Sequence, residues 1–296
     1  MYKEKFDFYD RTSLKSYNLS ESMRYQLNML DTLDVFTRKH CENVAALTCR
    51  LCERLHLNKG FTEYCTICAY LHDIGKQFIP ASILQKPGKL TDEEYEIMKT
   101  HTTLGHKLCM KDLQLRPYAA GTLYHHEALN GTGYPSGLKK KDIPYEAQII
   151  RVADEYDAIV SKRQYKSHID ISDTLKILIE NAKSGKNNSQ VVKKLIQVVI
   201  EDTEYEIFLT ETYISDLKAE LKRLKQIEKY KESMDKAKRE KTKNHYLEGM
   251  EALLRSDETI ELFPSIYEEY KEAFAKRKNN IENLRNEIKK IKRLKV

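Results

Sequence analysis

Proline and glycine are scarce, with six and ten residues in a chain of 296. Together with abundant Leu, Lys and Glu, this shortage points to an all-α protein. Runs of roughly 18 or more uncharged apolar residues are absent, so no helix that spans a membrane is expected. The opening MYKEKFDFYD carries acids and aromatics without an apolar run and does not read as a signal peptide. The expected location is the cytoplasm. A patch of one sign of charge is also lacking. The net charge of +6 is spread along the chain, and only Lys276 to Lys295 is locally basic, which reads as a solvated helix face. A nucleic-acid partner is therefore not expected.

The sequence contains 41% hydrophobic and 32% charged residues, with a mean hydropathy of -0.65. That balance allows a sizeable core and predicts a long, solvated helical part. Six cysteines include Cys49-x-x-Cys52 and Cys65-x-x-Cys68, close to a zinc-ribbon spacing. Both pairs lie in apolar helical text without glycine or proline knuckles, so buried reduced thiols are expected.

From about Glu21 the text turns helical. His40, Val44, Leu47, Leu51 and Leu55 recur at steps of three and four, forming one inward stripe. After Asn58-Lys59-Gly60 a second helix runs to about Asp73, with Phe61, Cys65, Cys68 and His72 on one face and Gly75 ending it. The segment IPASILQKPGK reads as a loop. Thr91 and Glu94 form a capping box for a helix that carries His101 past its second turn. Another helix ends near His125-His126, and Ala147 to Ser161 carries Asp154 and Asp157. Between them NGTGYPSG concentrates three glycines and a proline in eight residues, where the backbone needs unusual geometry. Beyond Thr203, heptad-like stripes (Ile214, Leu217, Leu221 and Leu224; then Tyr267, Tyr270, Phe274, Ile281, Leu284, Ile288 and Ile291) predict a helical hairpin or a dimerising coiled coil.

Potential metal ligands recur on helix interiors and ends: His40, His72, Asp73, His101, His125, His126 and Asp154. Burying so many titratable groups without a cation would cost roughly several kcal/mol each. A dinuclear metal centre accounts for all of them.

The strings AYLHDIGKQFIPASILQKPGKLTDEEYEIMKTH, YHHEALNGTGYPSGLKKKDIP and RVADEYDAIVSKRQYK resemble the HD-GYP family, bacterial cyclic di-GMP phosphodiesterases within the HD metal-phosphohydrolase superfamily. The likeness runs from about Asp34 to about residue 200. It implies an HD-type helical bundle over residues 21–202, after an extension at 1–20 and before a charged coiled-coil-like region at 203–296. It implies that His40, His72, Asp73 and Asp154 hold one metal, while His101, His125 and His126 hold a second, with Asp73 bridging. Asp73 and Lys76 would be catalytic, Lys76 lying over the scissile phosphate. Gly133, Tyr134, Pro135, Arg163 and Lys166 would hold the substrate. The implied cofactors are two divalent ions, Fe or Mn before Zn, Mg, Ni or Co.

Such a pair lowers the pKa of a shared water and clamps the phosphoryl oxygens during in-line displacement. The expected reaction is hydrolysis of cyclic di-GMP to linear pGpG. Rival readings are a phosphodiesterase for another cyclic dinucleotide, such as cyclic GMP-AMP, and a non-catalytic cyclic-dinucleotide sensor. A homodimer or a protein partner would engage the C-terminal helices.

Three departures from the family pattern stand out. Phe36 replaces a glutamate that brings a third metal in some members, so two metals are expected. Asn130 replaces an aspartate in HHEALNG but keeps a short polar cap. Residues 162–166, KRQYK, lack the acid and the proline of the family's DRPYR.

Overall fold

Asp34 starts the helix that bears the first histidine. Its carboxylate accepts hydrogen bonds from the backbone N–H groups of Phe36 (3.0 Å) and Thr37 (3.1 Å) and from the Thr37 hydroxyl (2.6 Å), which satisfies donors that a helix N-terminus leaves open. The computed structural model describes residues 19–161, 170–255, 259 and 263–296. In chain order its helices are α1 (Glu21–Leu27), α2 (Val35–Arg54), α3 (Lys59–Leu71), α4 (Ala81–Leu84), α5 (Asp92–Lys99), α6 (His101–Lys111), α7 (Ala119–Tyr124), α8 (Tyr145–Ser161), α9 (Ile171–Lys183), α10 (Ser189–Lys236), α11 (Glu240–Glu251) and α12 (Phe263–Ile291). Among the described residues no β-strand forms; an isolated antiparallel bridge pairs Asn130 with Lys139. None of the described helices is long and apolar enough to cross a membrane. The fold is all-α.

Two compact units result, one ending at Val199 and rejoined by Arg293–Val296, the other Ile200–Lys292. In the first, α2 packs on α3 and α8, α3 on α7, and α6 on α7. The face of α2 that is fully buried runs through Cys41, Val44, Ala45, Thr48, Cys49, Leu51 and Cys52. Leu47 and Leu55 of the expected stripe stand only at its rim. Small side chains account for the offset, because they let neighbouring helices approach closely. All six cysteines are buried free thiols, and burial pushes the Cys65 and Cys68 pKa values well up, so both stay protonated.

Three local expectations need correction. Gly75 does not end a helix; it lies in a 3-10 turn, Ile74–Phe78, that follows directly on His72-Asp73. A Cβ there would sit 1.9 Å from the His101 carbonyl oxygen, so the glycine permits backbone to press on backbone. The capping box of Thr91 and Glu94 forms, but its helix stops at Lys99. Thr100 interrupts it, its hydroxyl donating to the Ile97 carbonyl (2.6 Å), and His101 opens α6. The segment expected as loop also contains one short turn of helix, α4. Gly75→Ala is expected to cost about 3 kcal/mol through overpacking. A urea melt with an unchanged midpoint would contradict this.

In the second unit, Leu224, Ile227 and Met250 form a small core with Tyr230, Leu247, Ile266, Tyr267 and Tyr270 packed against it. Ion pairs Arg285–Glu211 (2.5 Å) and Lys292–Glu204 (3.0 Å) tie α12 to α10. The stripes thus meet within one chain as a hairpin, with α11 inserted at its turn.

Candidate metal centre

Helix ends aim the ligating side chains. α3 stops at Leu71, leaving His72 as its cap and Asp73 just outside helical geometry. α7 stops at Tyr124, with His125 as its cap. Each of three histidines turns its Nδ1 back to a carbonyl of its own turn: His72 to Ala69 (2.6 Å), His101 to Met98 (2.7 Å), and His125 to Gly121 and Thr122 (both 3.1 Å). A carbonyl can only accept, so each Nδ1 carries a hydrogen. Burial keeps His101 and His125 neutral, with a lone pair on Nε2, whereas the Asp73 carboxylate outweighs burial at His72 and holds its pKa well above the ordinary range.

The Nε2 atoms converge on Asp73. Its Oδ1 lies 3.3 Å from His101 Nε2 and 3.9 Å from His125 Nε2. Its Oδ2 lies 3.2 Å from His72 Nε2 and 3.7 Å from His40 Nε2, and it accepts a hydrogen bond from Lys76. Donor atoms therefore fall into two groups that share Asp73: one adds His101, His125 and His126, the other His40 and His72. Within each group the donors lie within 4.8 Å of one another. Asp154 reaches both groups, 3.0 Å from His40 Nε2 and 3.8 Å from His126 Nδ1.

Two features fit a cation here. His101 Nε2 and His125 Nε2 face each other at 3.2 Å with a lone pair on each. His72 Nε2 and Asp73 Oδ1 are buried without any hydrogen-bond partner, a state that costs roughly 1–3 kcal/mol per group. A divalent ion in each group would satisfy all four atoms, and imidazole with carboxylate suits Fe, Mn or Zn better than Ca.

The HD domain family profile matches residues 16–191, more than half of the chain. The chain belongs to the HD domain family, in its HD-GYP branch. A cyclic di-GMP phosphodiesterase from Thermotoga maritima is 36% identical over 211 residues, 68% of this chain and 56% of that protein. A second, from Pseudomonas aeruginosa, is 34% identical over 57% of this chain and 41% of its own length. A 3′3′-cGAMP-specific phosphodiesterase from Vibrio cholerae is 31% identical, covering 57% and 39% respectively. The chain thus spans about half the length of the curated relatives it matches.

The electrostatics of this HD domain favour a donor set ready for metal. Burial, reinforced by neighbouring imidazoles, holds His125 and His126 well below the usual histidine range, and burial also lowers His101. These rings are neutral. Burial opposes ionisation of Asp73 and Asp154, yet Lys76 and His72 at the first, and His40 and His126 at the second, hold both carboxyls below their ordinary range. His40 and His72 differ. Burial alone would lower both, but hydrogen bonds to Asp154 and to Asp157 (2.6 Å) raise the His40 pKa to about 9, and the Asp73 carboxylate holds His72 well above its ordinary range. Asp157, which also accepts from Ser161 (3.1 Å), fixes the His40 ring from behind.

The centre opens into a cleft of about 860 Å³ lined by His40, Lys76, His101, His126, Gly133 and Tyr134, among others. Pro135 is exposed and does not line it. Arg163 and Lys166 lie outside the described residues. The Tyr134 ring lies 4.7 Å from the His126 ring, centroid to centroid. Gly133 is required by contact: a Cβ there would meet Ala128 N at 2.3 Å and His126 O at 2.4 Å. Buried Glu127 holds the loop by accepting from the backbone N–H groups of Ser136 (2.6 Å) and Leu138 (2.9 Å). Asn130 performs the turn expected of it, accepting from Thr132 N (3.1 Å), and its amide also donates to Ser184 O (3.3 Å), which an aspartate could not do.

Sequence reasoning missed Arg151, Glu155 and Asn187. Arg151 donates to the His126 carbonyl (3.1 Å), to Glu155 (2.6 Å) and to Asn187 (2.8 Å), and Asn187 donates to Glu155 (2.6 Å). The i,i+4 spacing of Arg151 and Glu155 around Asp154 was the available signal.

Proposed function

We propose that this HD domain hydrolyses one 3′–5′ linkage of cyclic di-GMP, giving linear pGpG, with two divalent ions, Fe or Mn, held by His40, His72, Asp73 and Asp154 and by Asp73, His101, His125 and His126. The observation that carries this is the shared Asp73 carboxylate, one oxygen facing each group of imidazoles. When bound, the ions would activate water and neutralise phosphoryl charge. The chain's own groups do the rest. Asp73 stays ionised and sets the spacing of the two groups. Lys76, anchored on Asp73 and lining the cleft, supplies positive charge for the developing negative charge at phosphorus. Gly133 and Tyr134 form a wall of the cleft beside His126 and would position the nucleotide. Residues 21–202 are the catalytic part in this reading.

The test is incubation of metal-loaded protein with cyclic di-GMP, with products separated by chromatography. Linear pGpG is expected, and its absence with every divalent metal would overturn the assignment. The Vibrio cholerae relative favours one rival substrate, cyclic GMP-AMP, so both dinucleotides belong in the assay.

Metal uptake is also expected to release protons. With a pKa of about 9 in the metal-free protein, His40 carries a proton at pH 7, and a ligand must shed it. His72, which the Asp73 carboxylate holds well above the ordinary range despite burial, adds to this, so more than one proton should be released per molecule at pH 7, and affinity should climb with rising pH. Titration calorimetry in buffers of different ionisation enthalpy reads this directly; heats independent of buffer would contradict it.

A further inference from the structure

Among the described residues, the lysine and arginine side chains that line the cleft are Lys76, Lys86, Arg151 and Lys186. Three of them are neutralised within the protein. Lys76 is paired with Asp73, Lys86 with Glu94 (2.5 Å) and Arg151 with Glu155 (2.6 Å). The Lys186 ammonium makes no ion pair or hydrogen bond among the described residues. Its backbone, in contrast, is held on both sides. Lys186 N donates to Asn181 O (2.8 Å), and Lys186 O accepts from Leu129 N (2.9 Å). The preceding Gly185 turns the chain with φ +72°. The following Asn187 is buried and engages both Arg151 and Glu155. A half-buried lysine without an ion pair among the described residues is thus mounted on a fixed stretch of chain that lines the cleft at the metal centre.

A cyclic dinucleotide carries two phosphodiester anions, and the reaction proposed above consumes only one. Lys76 and the metal centre face the first. The second enters the same cleft and needs its own positive partner, because an anion taken out of water without one is strongly disfavoured. We propose that Lys186 binds the phosphodiester that is not cleaved, making the turn between α9 and α10 part of the substrate site. The Arg151–Glu155–Asn187 network then has a second consequence. It holds the Lys186 turn and the His126 carbonyl through one guanidinium, so the site for the spectator phosphate and a ligand of the metal centre share one support.

This inference rests on the cyclic-dinucleotide reading, and two substrates separate the two claims. Cyclic di-GMP has both phosphodiesters, whereas bis(p-nitrophenyl) phosphate has one. For K186Q the KM for cyclic di-GMP is expected to rise about tenfold with kcat within about twofold, because a contact to a non-reacting group binds ground state and transition state alike. The kcat/KM for bis(p-nitrophenyl) phosphate should fall far less, and K186R should recover most of the cyclic di-GMP affinity. An unchanged KM in K186Q, or equal losses on both substrates, would overturn the role of Lys186. Wild-type protein that cleaves bis(p-nitrophenyl) phosphate but no cyclic dinucleotide would overturn the reading of the site and this assignment with it.

Discussion

Asp73→Asn is expected to abolish turnover of cyclic di-GMP, by at least about a thousandfold, while leaving the protein folded. Asparagine keeps the shape of the side chain and removes the negative charge that both groups of imidazoles face. Losing a group that holds charge at the reacting centre typically costs about a hundredfold to a thousandfold, and here one residue serves both groups. The metal-free fold should tolerate the change unusually well. The new amide can donate to the lone pair on His101, which the carboxylate cannot do. Metal analysis of the purified variant, paired with its melting curve, checks both halves. A variant that keeps two equivalents of metal and its activity would refute the shared-carboxylate reading.

Stripping the metals is expected to produce the second large effect. Chelator-treated protein should lose activity completely and melt about 10 °C lower than protein resupplied with Mn²⁺ or Fe²⁺. The estimate follows from linkage: a ligand at a thousand times its Kd stabilises by about 4 kcal/mol, and about 2–4 °C accompanies each kcal/mol in a unit of this size. The physical source is the set of opposed lone pairs and unpartnered atoms around His72, Asp73, His101 and His125, which the folded chain holds together at a cost. Equal melting temperatures with and without metal would show that the cluster is satisfied by other means.

The residues of the centre were legible in the sequence because each stands at a helix end or on an inward face, where a histidine or an aspartate is out of place unless something pairs with it. His72-Asp73 and His125-His126 are pairs that no core would choose for packing. Asp154 was legible as an inward carboxylate, but its reach to both groups was not, since that depends on how α8 crosses α2. The break before His101 was hidden for a similar reason: periodicity runs straight through Thr100, and only the crowding of the Gly75 turn against the His101 carbonyl shows what lies there. Nothing in the sequence singles out Arg151, Glu155 or Lys186 beyond the i,i+4 spacing of the first two. Their meaning comes from partners 36 and 32 residues away in the chain (Arg151–Asn187 and Glu155–Asn187) and from a shared cleft. The buried face of α2 was misplaced by its cysteines, which a search for large apolar residues passes over.

Those cysteines have a practical consequence. Since every native sulfhydryl is enclosed, a water-soluble maleimide has no native target, and a single cysteine introduced at an exposed position such as Leu113 becomes the one handle for a fluorophore or spin label. Distances between a label and a paramagnetic ion at the histidine cluster could then be measured without first removing any native residue.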